Sequence, residues 1–181
     1  MLIKTVFSGF GGQGVLMMGY VLAVSAMHDG LHVTYLPTYG AEVRGGTANC
    51  TVSVSDEEIA SPVASSPDYV IAMNRPSLVK YEGQVKHNGT IFLNSDLVDA
   101  ELGRKDIEVV KVPANTLAKK LGSARAMNMI MLGAFIEKSK ITSIESLMNG
   151  LAGAIKKMSA KQMESNRKGL EAGAKYVQGG V

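Results

Sequence analysis

Seven residues near the amino terminus, GFGGQGV at Gly9 to Val15, contain four glycines and follow the apolar run LIKTVF after a single serine. What surrounds this loop constrains the fold most. Ile3 to Phe7 reads as a short buried strand. Gly14 to His28 carries Val15, Leu16, Met18, Val21, Leu22 and Met27 without a proline, which suits a helix packed on a sheet. Asp29-Gly30 ends that helix and LHVTYL begins a second strand. Strand, glycine loop, helix and strand in this order predict a βαβ unit, with a parallel strand pair and a right-handed crossover.

The rest of the chain extends the pattern. TANCTVSVS, Thr47 to Ser55, alternates β-branched with small residues over a full strand. No helix-length segment separates it from the second strand, so it is expected to run antiparallel or to lie at a sheet edge. YVIAM, Tyr69 to Met73, reads as a third core strand, and Pro76 suits the first position of a following helix. TIFLN and IEVVKV continue the alternation. The last third reads as helical. Arg125 to Lys138, RAMNMIMLGAFIEK, is apolar nearly all round and must be covered on several sides. Ala160 to Val177 places Met163, Leu170, Ala174 and Val177 on one stripe. With no internal repeat, low-complexity segment or linker, residues 1–181 are predicted to form one domain: an α/β fold of three layers (α/β/α), with a mostly parallel Rossmann-like sheet and a helical C-terminal part.

Composition removes several function classes. The chain is 46% hydrophobic and 19% charged, which suits a globule rather than a disordered chain. Its 19 basic and 16 acidic side chains leave a net charge of +3, too balanced for a nucleic-acid partner, and no stretch interleaves lysine or arginine with aromatics. Cys50 is the single cysteine, which excludes a disulfide framework and any iron–sulfur or zinc site built from cysteines of this chain. His28, His32 and His87 have no metal-ligand spacing, so no metal site is expected. No run approaches the roughly 20 apolar residues of a membrane span, and MLIKTVFSGFGG lacks a signal-peptide pattern. The expected location is the cytoplasm, where the NCT and NGT triplets carry no glycan.

Gly9, Gly11 and Gly14 satisfy G-x-G-x-x-G between a strand and a helix, as a dinucleotide fingerprint requires. A dinucleotide site also needs an acid closing the second strand, and here that strand runs into Leu36-Pro37-Thr38. The glycines instead suit an anion nest at a helix N-terminus, with Gln13 adding an amide toward the same space. The alternative is a tight turn that only lets helix and sheet pack closely. A second loop, YGAEVRGG at Tyr39 to Gly46, is placed at the same sheet edge. There Arg44, beside Gly45 and Gly46, could clamp a phosphate or carboxylate; its alternative is a surface pair with Glu42. Asn74-Arg75, Asn94-Ser95 and Asn115-Thr116 are expected to give this edge a polar, basic rim. The candidate binding residues are therefore Gly9, Gly11, Gly12, Gln13, Gly14, Arg44, Gly45 and Gly46. No Ser-His-Asp set, H-E-x-x-H or P-loop lysine is present, and Cys50 sits in a strand pattern that suits a buried, inert thiol. No catalytic residue is assigned.

The order GFGGQGV, YGAEVRGGTAN and LGSARAMNMIMLGAF resembles the gamma subunit of 2-oxoacid:ferredoxin oxidoreductases. These enzymes act on pyruvate, 2-oxoisovalerate or 2-oxoglutarate, and a related domain occurs in indolepyruvate oxidoreductase. The resemblance covers essentially the whole chain. It implies oxidative decarboxylation of a 2-oxoacid to an acyl-CoA, with electrons passing through thiamine diphosphate and iron–sulfur clusters to ferredoxin. The residues agree with a division of labour: only Asp29-Gly30 approaches a Gly-Asp-Gly thiamine motif, and one cysteine cannot hold a cluster. The resemblance therefore places thiamine diphosphate and clusters on alpha, beta and ferredoxin-like partner subunits. It leaves this chain inactive alone, covering the active site and helping to bind coenzyme A through its glycine loop. The apolar helix adds the expectation of a homodimer or a partner-bound state. A stand-alone nucleotide-binding oxidoreductase and a purely structural scaffold subunit are the competing readings.

Overall fold

In the computed structural model, which describes residues 1–39, 46–155 and 158–179, the chain opens with strand β1 (Leu2–Phe10), helix α1 (Val15–His28) and strand β2 (His32–Tyr39). Strand β3 (Thr47–Ser55) then turns back and inserts between them. It pairs antiparallel with β1 from Leu2↔Ser55 to Phe10↔Thr47 and antiparallel with β2 from His32↔Ser55 to Tyr39↔Ala48. The parallel β1–β2 pair read from the sequence is corrected accordingly. Both strands run the same way, but β3 separates them, because β3 follows β2 directly as a hairpin partner and its other edge completes β1. β3 is antiparallel, as expected, and it is an interior strand.

Beyond β1 the sheet is parallel. Strands β4 (Tyr69–Ala72), β5 (Thr90–Asn94) and β6 (Glu108–Val112) add in turn, giving the order β2-β3-β1-β4-β5-β6. All five residues of β5 are buried, as expected for a strand covered on both faces. The layers are unequal. One face of the sheet carries α1, α4 (Met127–Ser139), α5 (Ile144–Ala154) and α6 (Ala160–Val177), with the short α3 (Ala114–Lys120) beside them. The other carries α2 (Arg75–Tyr81) and a 3-10 turn at Glu82–Gln84, over Val6, Val70, Ala72, Ile91 and Leu93. Pro76 lies in the first turn of α2, whose N-cap is Asn74; Oδ1 accepts from Ser77 N at 2.9 Å.

α4 is buried continuously from Met129 to Ile136. Phe135 meets the rings of Phe7, Tyr69 and Phe92 edge-on, at centroid distances of 5.8, 5.4 and 5.7 Å. Its far side is covered by α6, and glycines let the two backbones touch. A Cβ on Gly133 would stand 2.0 Å from Leu170 O, and one on Gly173 would stand 1.9 Å from Ile130 O. The α6 stripe is as read from the sequence, with Leu170 and Ala174 buried and Met163 and Val177 half-buried. The chain thus covers its own apolar helix, and the homodimer expected from that helix loses its basis.

Candidate functional site

The carboxyl end of β1 enters a turn closed by a hydrogen bond from Gln13 N to Phe10 O at 3.1 Å. Gly12, its third residue, has φ 95°, the left-handed conformation that a type II turn demands there. Gly14 follows with φ 75° and is the N-cap of α1. Gly11 and Gly12 are exposed. Gly11 N donates to Gly46 O at 2.9 Å, so the end of the second sequence motif is tied to the first. Arg44 and Gly45, together with Glu42, lie outside the described residues.

No side chain caps α1 and its first turn holds no acid. The amides of Val15, Leu16 and Met17 have no acceptor among the described residues. Unpaired N–H groups and the positive end of the helix dipole are the ordinary property of such an end. Here they sit beside an exposed glycine turn at the carboxyl edge of a parallel sheet, where α/β proteins bind ligands.

The Gln13 side chain turns inward. Its Oε1 accepts from Phe10 N at 2.7 Å and from Asn74 Nδ2 at 3.3 Å, and its Nε2 donates to Met73 O at 3.3 Å. Gly9 is required by this arrangement, since a Cβ there would stand 2.6 Å from Oε1. The asparagines of the expected rim also face inward: Asn74 caps α2, and Asn94 Nδ2 donates to Asn115 Oδ1 at 2.8 Å. Thr116 is held by Asp96, through its N at 2.7 Å and its Oγ1 at 2.8 Å. Of these rim residues, Arg75 and Thr116 are exposed. The edge is a braced frame rather than a basic patch.

Asn128 is a residue that sequence reasoning does not single out. It brings the amino end of α4 against the loop, and a Cβ on Gly14 would stand 2.4 Å from its Nδ2. The available signal is slight: one amide in the otherwise apolar run MNMIML. Beneath the first turn of α1, Tyr35 OH donates to Leu16 O at 3.2 Å and Cys50 Sγ lies 3.6 Å from Val15 O. Burial pushes the Cys50 thiol up to about 12 from 9.0, and burial with Cys50 alongside pushes Tyr35 up to about 12 from 10.0. A protonated, buried thiol is no nucleophile, in agreement with the inert reading. Among the described residues, no three His, Cys, Asp or Glu side chains group as metal ligands, and no helix is long and apolar enough to cross a membrane.

Residues 4–176 match the family described as pyruvate ferredoxin/flavodoxin oxidoreductase. The chain belongs to this family. Among its relatives, ketoisovalerate oxidoreductase subunit VorA of Methanothermobacter marburgensis is 37% identical over 178 residues, 97% of this chain and 36% of VorA. The chain thus spans about a third of VorA. The solved gamma subunit of a keto/oxoacid ferredoxin oxidoreductase from Geobacter sulfurreducens superimposes with a TM-score of 0.82 at 26% identity, over 98% of this chain and 99% of that one. The 2-oxoglutarate:ferredoxin oxidoreductase of Magnetococcus marinus, solved with 2-oxoglutarate, coenzyme A and succinyl-CoA bound, shares the fold with a TM-score of 0.89 at 23% identity. That alignment covers 98% of this chain and 31% of the M. marinus chain.

Proposed function

We propose that this chain is the gamma component of a cytoplasmic 2-oxoacid:ferredoxin oxidoreductase, which oxidatively decarboxylates a 2-oxoacid to an acyl-CoA, and that its glycine loop receives phosphate groups of coenzyme A. The observation that carries the reading is the exposed turn at Gly11 and Gly12 running into an uncapped, acid-free helix N-terminus. Main-chain amides there offer donors to an anion without a side-chain charge. Family membership supports it, as does the binding of coenzyme A by the M. marinus enzyme of the same fold. On this reading Gly46, tied to Gly11, borders the same site, and Arg44 and Gly45 are expected to contribute to coenzyme A binding.

The division of labour follows from chemistry. On this reading clusters and thiamine diphosphate belong to alpha, beta and ferredoxin-like partner subunits, with ferredoxin as acceptor; for the clusters the reading is supported by the one cysteine of the chain being buried and protonated. Those groups supply the carbanion chemistry and the electron path. This chain's own residues bind and orient the acyl acceptor and shield it from water. A stand-alone dinucleotide enzyme is disfavoured, because β2 ends in Pro37-Thr38-Tyr39 with no acid for a ribose.

The test is Gly11→Val in the assembled complex, where a branched side chain fills the space in front of the loop. The expected result is a raised KM for coenzyme A with unchanged thiamine diphosphate affinity. A fall in thiamine affinity instead would assign the loop to the other cofactor and overturn the reading.

A further inference from the structure

We infer that Gln13 is a positioning residue: its amide does not touch the bound phosphate but locks the glycine loop in the form whose main-chain amides do. The inference rests on the reading of that loop as a phosphate site. Three of the four hydrogen bonds open to a glutamine amide are already made within the chain, to Phe10 N, Asn74 Nδ2 and Met73 O. Phe10 is bound twice by the same residue, through its N to the Gln13 side chain and through its O to Gln13 N. The side chain thus fixes the mouth of the turn against the end of β1 and, through Met73 and Asn74, against the end of β4.

The brace continues into the fold. Asn74 uses Oδ1 to cap α2 and Nδ2 to hold Gln13, and Ser77 of the first α2 turn shares a 2.9 Å hydrogen bond with Ser8 of β1. A chain of side-chain bonds therefore runs from the loop through β4 and α2 back to the strand that leads into the loop. Glycines lose more freedom on ordering than any other residue, and this turn has three. A loop held in place before the ligand arrives does not charge that ordering cost to binding. Gly9 gives the arrangement its clearance, because any side chain there would displace the Gln13 oxygen.

Gln13→Met keeps the length of the side chain and deletes all three bonds. Asn74→Ser keeps an N-cap oxygen for α2 and deletes only the bond to Gln13. In the assembled complex, Gln13→Met is expected to raise KM for coenzyme A roughly ten-fold with kcat held, as the loss of a positioning hydrogen bond implies. Asn74→Ser should produce a smaller rise in the same direction, and the double variant should match Gln13→Met, because the two share one bond. Amide hydrogen exchange at Phe10 to Gly14 should quicken in both single variants before any coenzyme A is added. A raised KM with unaltered exchange in the ligand-free complex would make Gln13 a ligand contact and overturn the inference. If Gly11→Val raises KM while Gln13→Met does not, the positioning role fails and the phosphate loop stands. If neither raises it, the phosphate loop itself fails. Should Gln13→Met prevent assembly, Asn74→Ser carries the same comparison of KM with loop exchange.

Discussion

Gly14→Ala separates two demands that the structure places on one atom. The first is conformational: Gly14 has φ 75°, and a non-glycine residue in the left-handed region costs about 1–2 kcal/mol. The second is steric, since the new Cβ would stand 2.4 Å from Asn128 Nδ2 and 3.0 Å from Asn128 Cγ. Asn128 can yield only by swinging away and giving up its hydrogen bond to Met129 N, a loss of roughly 0.5–1.5 kcal/mol. The sum is about 2–3 kcal/mol, or a fall in Tm of roughly 5–10 °C for a chain of this size. Asn128→Ala removes the two shortest contacts, leaving a 3.2 Å approach to the Cβ of residue 128 and the backbone demand, so on that background Gly14→Ala should cost little more than the first part. Equilibrium urea unfolding of the four proteins, followed by circular dichroism, gives the coupling energy directly. Two neighbours that collide should couple by at least about 0.5 kcal/mol. Additive effects would refute the proximity of Gly14 and Asn128, and a cost for Gly14→Ala below about 0.5 kcal/mol would refute the left-handed backbone.

Gly173→Ala should be more damaging than its chemistry suggests, because its Cβ would stand 1.9 Å from Ile130 O, a backbone atom with no rotamer to change; a loss of about 3 kcal/mol or more in urea unfolding is expected. Cys50 and Tyr35 both have pKa values raised on folding, from 9.0 and 10.0 to about 12, so their contribution is complete below pH 9 and is lost as pH rises toward 12. The urea midpoint should therefore decline through that window, and Cys50→Ala should remove the decline between pH 9 and 10 and lessen, without abolishing, the part above pH 10 that belongs to Tyr35. In the assembled complex, Arg44→Ala should weaken coenzyme A binding roughly ten- to a hundred-fold and Arg44→Lys should recover part of it, as expected for a planar clamp. A weakened complex reproduced by Glu42→Ala would assign Arg44 to bracing the loop instead.

What could be read without coordinates is what depends on neighbours in sequence. The run from β1 through the glycine loop to α1 declares itself because strand, turn and helix have different local periods, and Gly12 and Gly14 stand where φ must be positive. α6 was legible to its end residues for the same reason. The insertion of β3 was not: alternation marks Thr47 to Ser55 as a strand, but its two partners are chosen by sheet closure across the whole chain. α4 shows the same limit in energetic form. Its uniform apolarity demands cover, yet the cover comes from Gly169 and Gly173 of α6, residues that weaken a helix by local propensity and are useful only where another backbone approaches. Gln13 and Asn74, 61 residues apart, hold the loop together, and no sequence spacing announces that bond.

The two kinds of residue at the carboxyl edge divide the work of recognition in a way that bears on the family. Side chains there are spent on the frame: Gln13 on β1 and β4, Asn74 on α2, Asn94 on Asn115, Asp96 on Thr116. Among the described residues, what remains open to a ligand, beside the exposed Arg75, is main chain at Gly11, Gly12 and the first turn of α1. Main-chain amides read a phosphate by charge and geometry and are blind to the acyl group being transferred. On the proposed function, this chain therefore presents the constant reactant, while the 2-oxoacid is chosen on a partner surface. On that reading one domain can serve enzymes named for ketoisovalerate and for 2-oxoglutarate. It also sets a limit on engineering. Substitutions in this chain should change the affinity for coenzyme A and the strength of assembly, and leave the ranking of 2-oxoacids by kcat/KM at saturating coenzyme A in place. A Gly11, Gln13 or Asn128 variant that reorders that ranking would show that the loop also reads the acyl group, and the division argued here would fall.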